Sequence, residues 1–226
     1  YDVSREEQDR LALRSHDRAL RAIDQRLFQD EIVPVEIPQR RGAPVRFDED
    51  EGPRRDTTLD ALARLRPAFQ DGGTVTAGNA PGITDGAAAL VLGRRDRAEA
   101  YGLRPIARIL GYDQAAVPPL ELFTAPAIAM TNLAKKLSLS LDAFGLVEIN
   151  EAFAAQTVAN IRELGLDAER VNVHGGAIAL GHPIGASGAR VLVTLLYAMR
   201  QQDVAKGAAS LCLGGGEAVA LAIELE

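Results

Sequence analysis

Residues 171–190, VNVHGGAIALGHPIGASGAR, constrain the fold of this chain more than any other stretch. Within twenty positions they hold a short apolar run, two glycine clusters, a histidine followed by proline, and small residues suited to a helix start. Glycine loses more backbone freedom on folding than any other residue, so clusters of it mark places where backbone meets backbone or ligand closely. The spacing predicts a strand over residues 171–173 broken by Gly175 and Gly176, then a tight turn at Gly181-His182-Pro183. Residues 185–188 open a helix that continues through Val191, Leu192, Leu195, Leu196 and Met199. Pro183 fixes its own φ and disfavours a helical conformation for His182. His182 is therefore expected at a stiff strand-to-helix junction.

Two further stretches carry polar groups at strand ends. In Glu148-Ile149-Asn150-Glu151-Ala152-Phe153-Ala154 a strand runs into a helix with an amide at the junction. In Ser210-Leu211-Cys212-Leu213-Gly214-Gly215-Gly216 a strand ends in the only cysteine, followed by three glycines. A histidine, an asparagine and a cysteine thus lie where strands stop, and open α/β sheets place their chemistry at such ends. Taken singly, a turn histidine and a lone cysteine are as well explained by packing. Their joint placement beside glycine motifs is what points to a catalytic site. The glycine run matches neither GxxxxGK[ST] nor GxGxxG, which argues against nucleotide hydrolysis.

The rest of the chain alternates helix and strand patterns. Ser4-Arg5-Glu6-Glu7 has capping-box spacing, and Leu13, Leu20, Ile23 and Leu27 follow at helical intervals, predicting a helix over residues 4–28 with His16 as a packing residue near its apolar stripe. Residues 31–37 read as an edge strand because of Pro34. Residues 39–56 form a charged loop in which Arg40, Arg41, Arg46, Arg54 and Arg55 surround an acidic run. Thr57 or Thr58 caps a short helix, and Asn79-Ala80-Pro81-Gly82 is turn chemistry. Residues 86–92, small and continuously apolar, are expected to be a buried strand. Helices are expected over 94–102, 126–137 and 151–164, and strands over 104–111, 144–149, 208–213 and 219–224, which makes a sheet covered by helices.

Composition narrows the function classes. A net charge of -6 argues against general nucleic-acid binding, and no apolar run approaches a membrane span. The opening YDVSREEQDR is polar and acidic, unlike a targeting segment, although it lacks an initiator methionine. One cysteine cannot form an intramolecular disulfide, which fits a reducing, cytoplasmic setting. At 226 residues the chain can bury a sizeable core.

Taken in order, NEAFA, GHPIGASGAR and CLGGG resemble the C-terminal half of a thiolase, an acyl-CoA C-acyltransferase. Residues 74–92, TVTAGNAPGITDGAAALVL, resemble another thiolase segment, so the likeness covers nearly the whole chain. The resemblance implies a layered α/β/α/β/α fold. Residues 1–83 would belong to a loop domain that covers coenzyme A, 84–103 would be the last strand and helix of the N-terminal core, and 104–226 would be the C-terminal core domain.

It also implies an activity, the reversible CoA-dependent thiolytic cleavage of a 3-oxoacyl-CoA or the condensation of two acetyl-CoA to acetoacetyl-CoA. His182 would activate a nucleophilic cysteine and Cys212 would be the acid/base. Asn150 would hold a water that forms one oxyanion hole with His182, and the backbone N–H of Gly214 would serve the other. Pro81 stands where thiolases often carry a pantetheine-site serine, so Pro81 and Gly82 are expected to line the coenzyme A tunnel without that hydroxyl. Leu122 and Phe123 fall beside the acyl chain, and arginines of residues 39–56 suit the phosphates of the nucleotide end. A thiol pKa of about 8.5 leaves little thiolate near neutrality, so the site is expected to favour ionisation of Cys212, helped by His182 and the nearby helix start.

The nucleophilic cysteine of thiolases lies in their N-terminal half, so this chain, whose one cysteine takes the other role, resembles a thiolase without its nucleophile-bearing part. Expected partners are coenzyme A and acyl-CoA as substrates, that N-terminal half, and further copies in a homodimer or homotetramer. No metal, covalently bound cofactor, nucleic acid or membrane is expected. The alternative is a truncated, non-catalytic acyl-CoA-binding or assembly module, which has no need of His182, Asn150 and Cys212 together. Cys212-Leu213-Gly214-Gly215 and NEAF also separate the chain from the related decarboxylating condensing enzymes and the sterol-carrier-type thiolases.

Overall fold

The computed structural model describes residues 1–226. Helix α1 (Arg5–Asp24) opens with the expected capping box, in which the Glu7 N–H donates to Ser4 Oγ (3.2 Å) and the Ser4 N–H donates to Glu7 Oε2 (2.9 Å). Such caps contribute about 1 kcal/mol each. Of residues 31–37 only Val35–Ile37 (β1) is strand; it pairs antiparallel with Val45–Phe47 (β2), and the hairpin leaves Val35, Val45 and Phe47 exposed. Thr58 caps α2 (Leu59–Ala63), accepting from the Ala61 N–H at 3.1 Å.

The expected buried strand over residues 86–92 does not form. The stretch belongs to no helix or sheet, Val91 is 94% exposed and Leu92 70%. The physical reason is the absence of any strand of this chain alongside it: composition supplied an apolar face and nothing here pairs with it. The helix after it forms as α3 (Arg95–Ala100).

The C-terminal part is a mixed sheet. Strand β3 (Ala107–Ala116) leads through a 3₁₀ turn to α4 (Ala125–Lys136), then β4 (Leu146–Ile149) and α5 (Ala154–Leu164). A short α6 (Ala177–Leu180), a long α7 (Ser187–Gln202), β5 (Lys206–Leu213) and β6 (Glu217–Leu225) complete it. The four strands lie in the order β3-β6-β5-β4, with β4 and β5 parallel and the other pairs antiparallel. Alternation along β4 sends Val147 and Ile149 to the side of α4 and Leu146 to the side of α7 with Leu195 and Met199. Helix α1 packs over this unit through Leu11 and Ala12 against Ala154 and Ile178.

The expected strand over residues 171–173 is reduced to a single parallel bridge, Val171 with Val147. Asn172 sits at φ 51, in the left-handed region, and turns the chain off the sheet edge. Its side chain takes over: Oδ1 accepts from the Ile149 N–H and Nδ2 donates to the Ile149 carbonyl, both at 2.8 Å. A carboxamide thus stands where the peptide of a neighbouring strand would. Helix α5 begins at Ala154 rather than Glu151, because residues 150–153 are held in an irregular, side-chain-bonded loop.

Candidate active site

The histidine turn is built from both sides. Gly181 closes α6 at φ 93, and a side chain there would also run into Thr84. The His182 N–H donates to the Gly82 carbonyl at 2.9 Å, so the turn predicted at residues 79–82 backs the catalytic candidate directly. Across the ring, Nδ1 lies 2.7 Å from Ser187 Oγ and Nε2 lies 3.2 Å from Asn150 Nδ2. The Ser187 hydroxyl donates to the Pro183 carbonyl (3.1 Å), which leaves its lone pair to accept from Nδ1–H. That tautomer keeps the lone pair on Nε2, facing Asn150. Burial, and secondarily the Arg190 cation, hold the His182 pKa below the ordinary 6.5, so the ring is a neutral base near neutrality.

Asn150 follows directly on β4 and is 1% exposed. Its N–H donates to the Ser210 carbonyl at 3.0 Å, which sets it beside β5 two residues before Cys212. Parallel strands end on the same edge of a sheet, so Asn150 and Cys212 emerge together. Asn150 Oδ1 is buried without a protein partner, the arrangement expected of a group that holds a water or a substrate atom.

Cys212 is a half-buried free thiol facing Ala218 across the β5–β6 pair. Burial raises its pKa above the ordinary 9.0, against a smaller opposing backbone hydrogen bond. This corrects the expectation that the site favours ionisation: the thiol is kept protonated, because desolvation penalises the thiolate and no cation contributes to the balance. A protonated thiol is poised to donate. Gly214 opens the 3₁₀ turn Gly214–Gly216, with open space where a Cβ would stand.

The other expected residues fall around this edge. Leu122 and Phe123 lie in the 3₁₀ turn Pro119–Thr124, which meets the glycine turn where the Val117 N–H donates to the Gly216 carbonyl at 2.9 Å. The Phe123 ring packs edge-on against Phe153 (5.3 Å between centroids), which in turn meets Phe69 (6.1 Å). The sequence carries no signal for these contacts of Phe69, which is 74% exposed, and of Phe153 beyond the place of Phe153 in NEAF. Ser187 was also missed, although its place five residues after His182 at a helix start could have found it.

Of the loop arginines, Arg46 pairs with Asp48 and Arg55 with Asp24. His16 accepts from the Arg54 N–H through Nδ1 (3.1 Å), and His174 packs edge-on against Phe28, both as buried residues apart from the site. No helix is long and apolar enough to cross a membrane.

Comparison with known proteins extends this geometry. Residues 1–96 match the model of the thiolase N-terminal domain and residues 103–225 that of the thiolase C-terminal domain. The chain is 53% identical over 223 residues to an acetyl-CoA acetyltransferase of Pseudomonas aeruginosa, and the match covers 99% of the chain and 57% of that relative. It is 52% identical over 224 residues to an acetyl-CoA acetyltransferase of Escherichia coli K12, with the same coverage of each. The crystal structure of the Bacillus anthracis acetyl-CoA acetyltransferase superposes with a TM-score of 0.97 at 50% identity, over 100% of this chain and 57% of that one. Human mitochondrial 3-ketoacyl-CoA thiolase gives 0.91 at 38% identity, over 99% of this chain and 56% of that one. The chain thus spans about 57% of the length of these bacterial relatives.

Proposed function

Because this chain belongs to the thiolase family, we propose that it carries the base and the proton donor of a reversible acyl transfer between coenzyme A thioesters, with the nucleophilic cysteine supplied from outside these 226 residues. The observation that carries the proposal is the contact of His182 Nε2 with Asn150 Nδ2 at the sheet edge where the neighbouring parallel strand brings Cys212.

In thiolysis, His182 Nε2 takes the proton of the nucleophilic thiol, and the sulfur attacks the 3-oxo carbon of the substrate. The C2–C3 bond breaks and its electron pair passes to C2, delocalised onto the thioester oxygen as an enolate. Cys212 gives its thiol proton to C2 and acetyl-CoA leaves. The Cys212 thiolate then takes the proton of the incoming coenzyme A thiol, whose sulfur attacks the acyl-enzyme. The shortened acyl-CoA departs and His182 returns its proton to the nucleophile.

Each developing oxyanion needs fixed donors. A water held by Asn150, together with the protonated Nε2 of His182, would serve the enolate, and the Gly214 N–H the acyl intermediate. Pro81, Gly82, Leu122 and Phe123 would border the pantetheine and acyl path. Residues 1–83, 84–103 and 104–226 would be the covering loop domain, the last part of the N-terminal core and the C-terminal core. A homodimeric or homotetrameric assembly and a cytoplasmic location complete the reading.

The test is Cys212→Ser in the intact protein, assayed with acetoacetyl-CoA and coenzyme A. Loss of a general acid is expected to lower turnover by about 10²- to 10⁴-fold. Retained turnover would remove Cys212 from the mechanism.

A further inference from the structure

We infer that Glu151 and Asn172 are positioning residues for Asn150, with Ser15 of α1 as the outer member of the same device; the inference rests on the catalytic reading of Asn150 given above. Asn150 is flanked by two anchored neighbours. Before it, Ile149 has both its N–H and its carbonyl engaged by the Asn172 carboxamide at 2.8 Å. After it, the Glu151 carboxylate accepts from Asn172 Nδ2 (3.0 Å), Ser15 Oγ (2.7 Å) and the Ile178 N–H (3.1 Å). One side chain, Asn172, therefore bridges the residues on either side of the candidate catalytic amide.

The device is closed to solvent and closely fitted. Glu151 is 3% exposed, Asn172 4% and Ser15 2%. Gly176 approaches so closely that any Cβ there would overlap the Glu151 carboxylate, and its N–H donates to Ser15 Oγ at 3.0 Å. Within this frame the Asn150 side chain has one protein hydrogen bond, Nδ2 with His182 Nε2, and its Oδ1 is left without a hydrogen-bond partner. Such a frame fixes where the amide points without touching substrate. It also gives Gly176 and the glutamate of NEAF a shared physical reason: a Cβ at the one would overlap the carboxylate of the other.

The experiment measures kcat and KM for thiolysis of acetoacetyl-CoA by the intact protein in Glu151→Gln, Asn172→Ala and Ser15→Ala, with Asn150→Ala as reference. Ring ¹⁵N resonances of His182 are recorded in the same variants. Glutamine keeps the shape of Glu151 but turns an NH₂ toward one of the three donors. Glu151→Gln and Asn172→Ala are expected to lower kcat by roughly tenfold to a hundredfold with KM within about twofold, since small displacements of a catalytic group cost that much. The Nε2 resonance is expected to move as the Asn150 contact loosens.

A lower Tm with kcat and the Nε2 resonance unchanged would mean a purely structural network and overturn the inference. If Asn150→Ala keeps full turnover while Glu151→Gln still moves the Nε2 resonance, the catalytic reading of Asn150 fails and the positioning geometry stands. Should the two inner variants not fold, Ser15→Ala removes a single hydrogen bond to Glu151, and an unchanged kcat and Nε2 resonance there overturn the inference.

Discussion

Two runs of small and apolar residues, 171–182 and 83–93, look alike in composition and end differently. Residues 171–179 are all buried, tied to α1, to β4 and to the loop after it by Asn172, Ser15 and Glu151. Residues 83–93 make no backbone–backbone hydrogen bond, and Ile83 is 87% exposed. The first run has polar partners inside the chain that answer its backbone groups; the second has no backbone partner, although Leu90 packs against the core. Small apolar residues permit burial, and partners decide it.

The contrast is sharpest in amide hydrogen exchange of the chain in solution. Amides of Asn172, Gly175 and Ala179, hydrogen-bonded within the buried run, are expected to open only with global unfolding, while those of residues 83–93 have no backbone acceptor. Their protection is expected to differ on the order of 10⁴-fold. Comparable protection of the two segments would break the comparison.

The next largest effect falls on the organised run alone. His182→Ala in the intact protein is expected to lower thiolase turnover by about 10²- to 10⁴-fold, the range for loss of a general base. Turnover within about tenfold of the parent would place the base elsewhere.

Much of the organised region was legible because it is encoded locally. Glycine spacing and Pro183 mark the His182 turn, and the strand ends mark Asn150 and Cys212, so the polar edge of the sheet is written in short stretches of sequence. What escaped was long-range and side-chain borne. Asn172 replaces a strand peptide from 23 residues away, and Ser15 reaches Glu151 across 136 residues. No period of the sequence records such contacts. The Cys212 thiol was misjudged for a related reason: its protonation depends on how deeply the strand end is desolvated, which sequence position does not convey.

Ser187 sharpens the same point with a smaller effect. Its hydroxyl fixes the ring of His182 through Nδ1 at 2.7 Å. Ser187→Ala is expected to lower kcat by about tenfold, as removal of one hydrogen bond at a charged transition state does. The His182 pKa already lies below 6.5, so turnover falls as pH drops through that lowered value and protonates the base. The Nδ1–H···Oγ bond favours the protonated ring, so its loss moves this acid limb to lower pH. A kcat–pH profile that superposes on the parent would show that Ser187 packs and does nothing more.

The smallest expected effect is the most direct contest between composition and contact. A valine in a buried strand contributes about 1.5–3 kcal/mol through its removal from water, and Val91, amid Gly86-Ala87-Ala88-Ala89-Leu90, has every compositional mark of one. In this chain it is 94% exposed, so nearly all of that contribution is absent. Val91→Ser in the 226-residue chain is therefore expected to change unfolding stability by less than about 0.5 kcal/mol, the usual span for surface substitutions. The check is urea unfolding with the m-value held constant between the two forms. A loss above about 1.5 kcal/mol would mean that residues 83–93 are buried in solution by a partner of this chain, most simply another copy, and its dependence on protein concentration would say so.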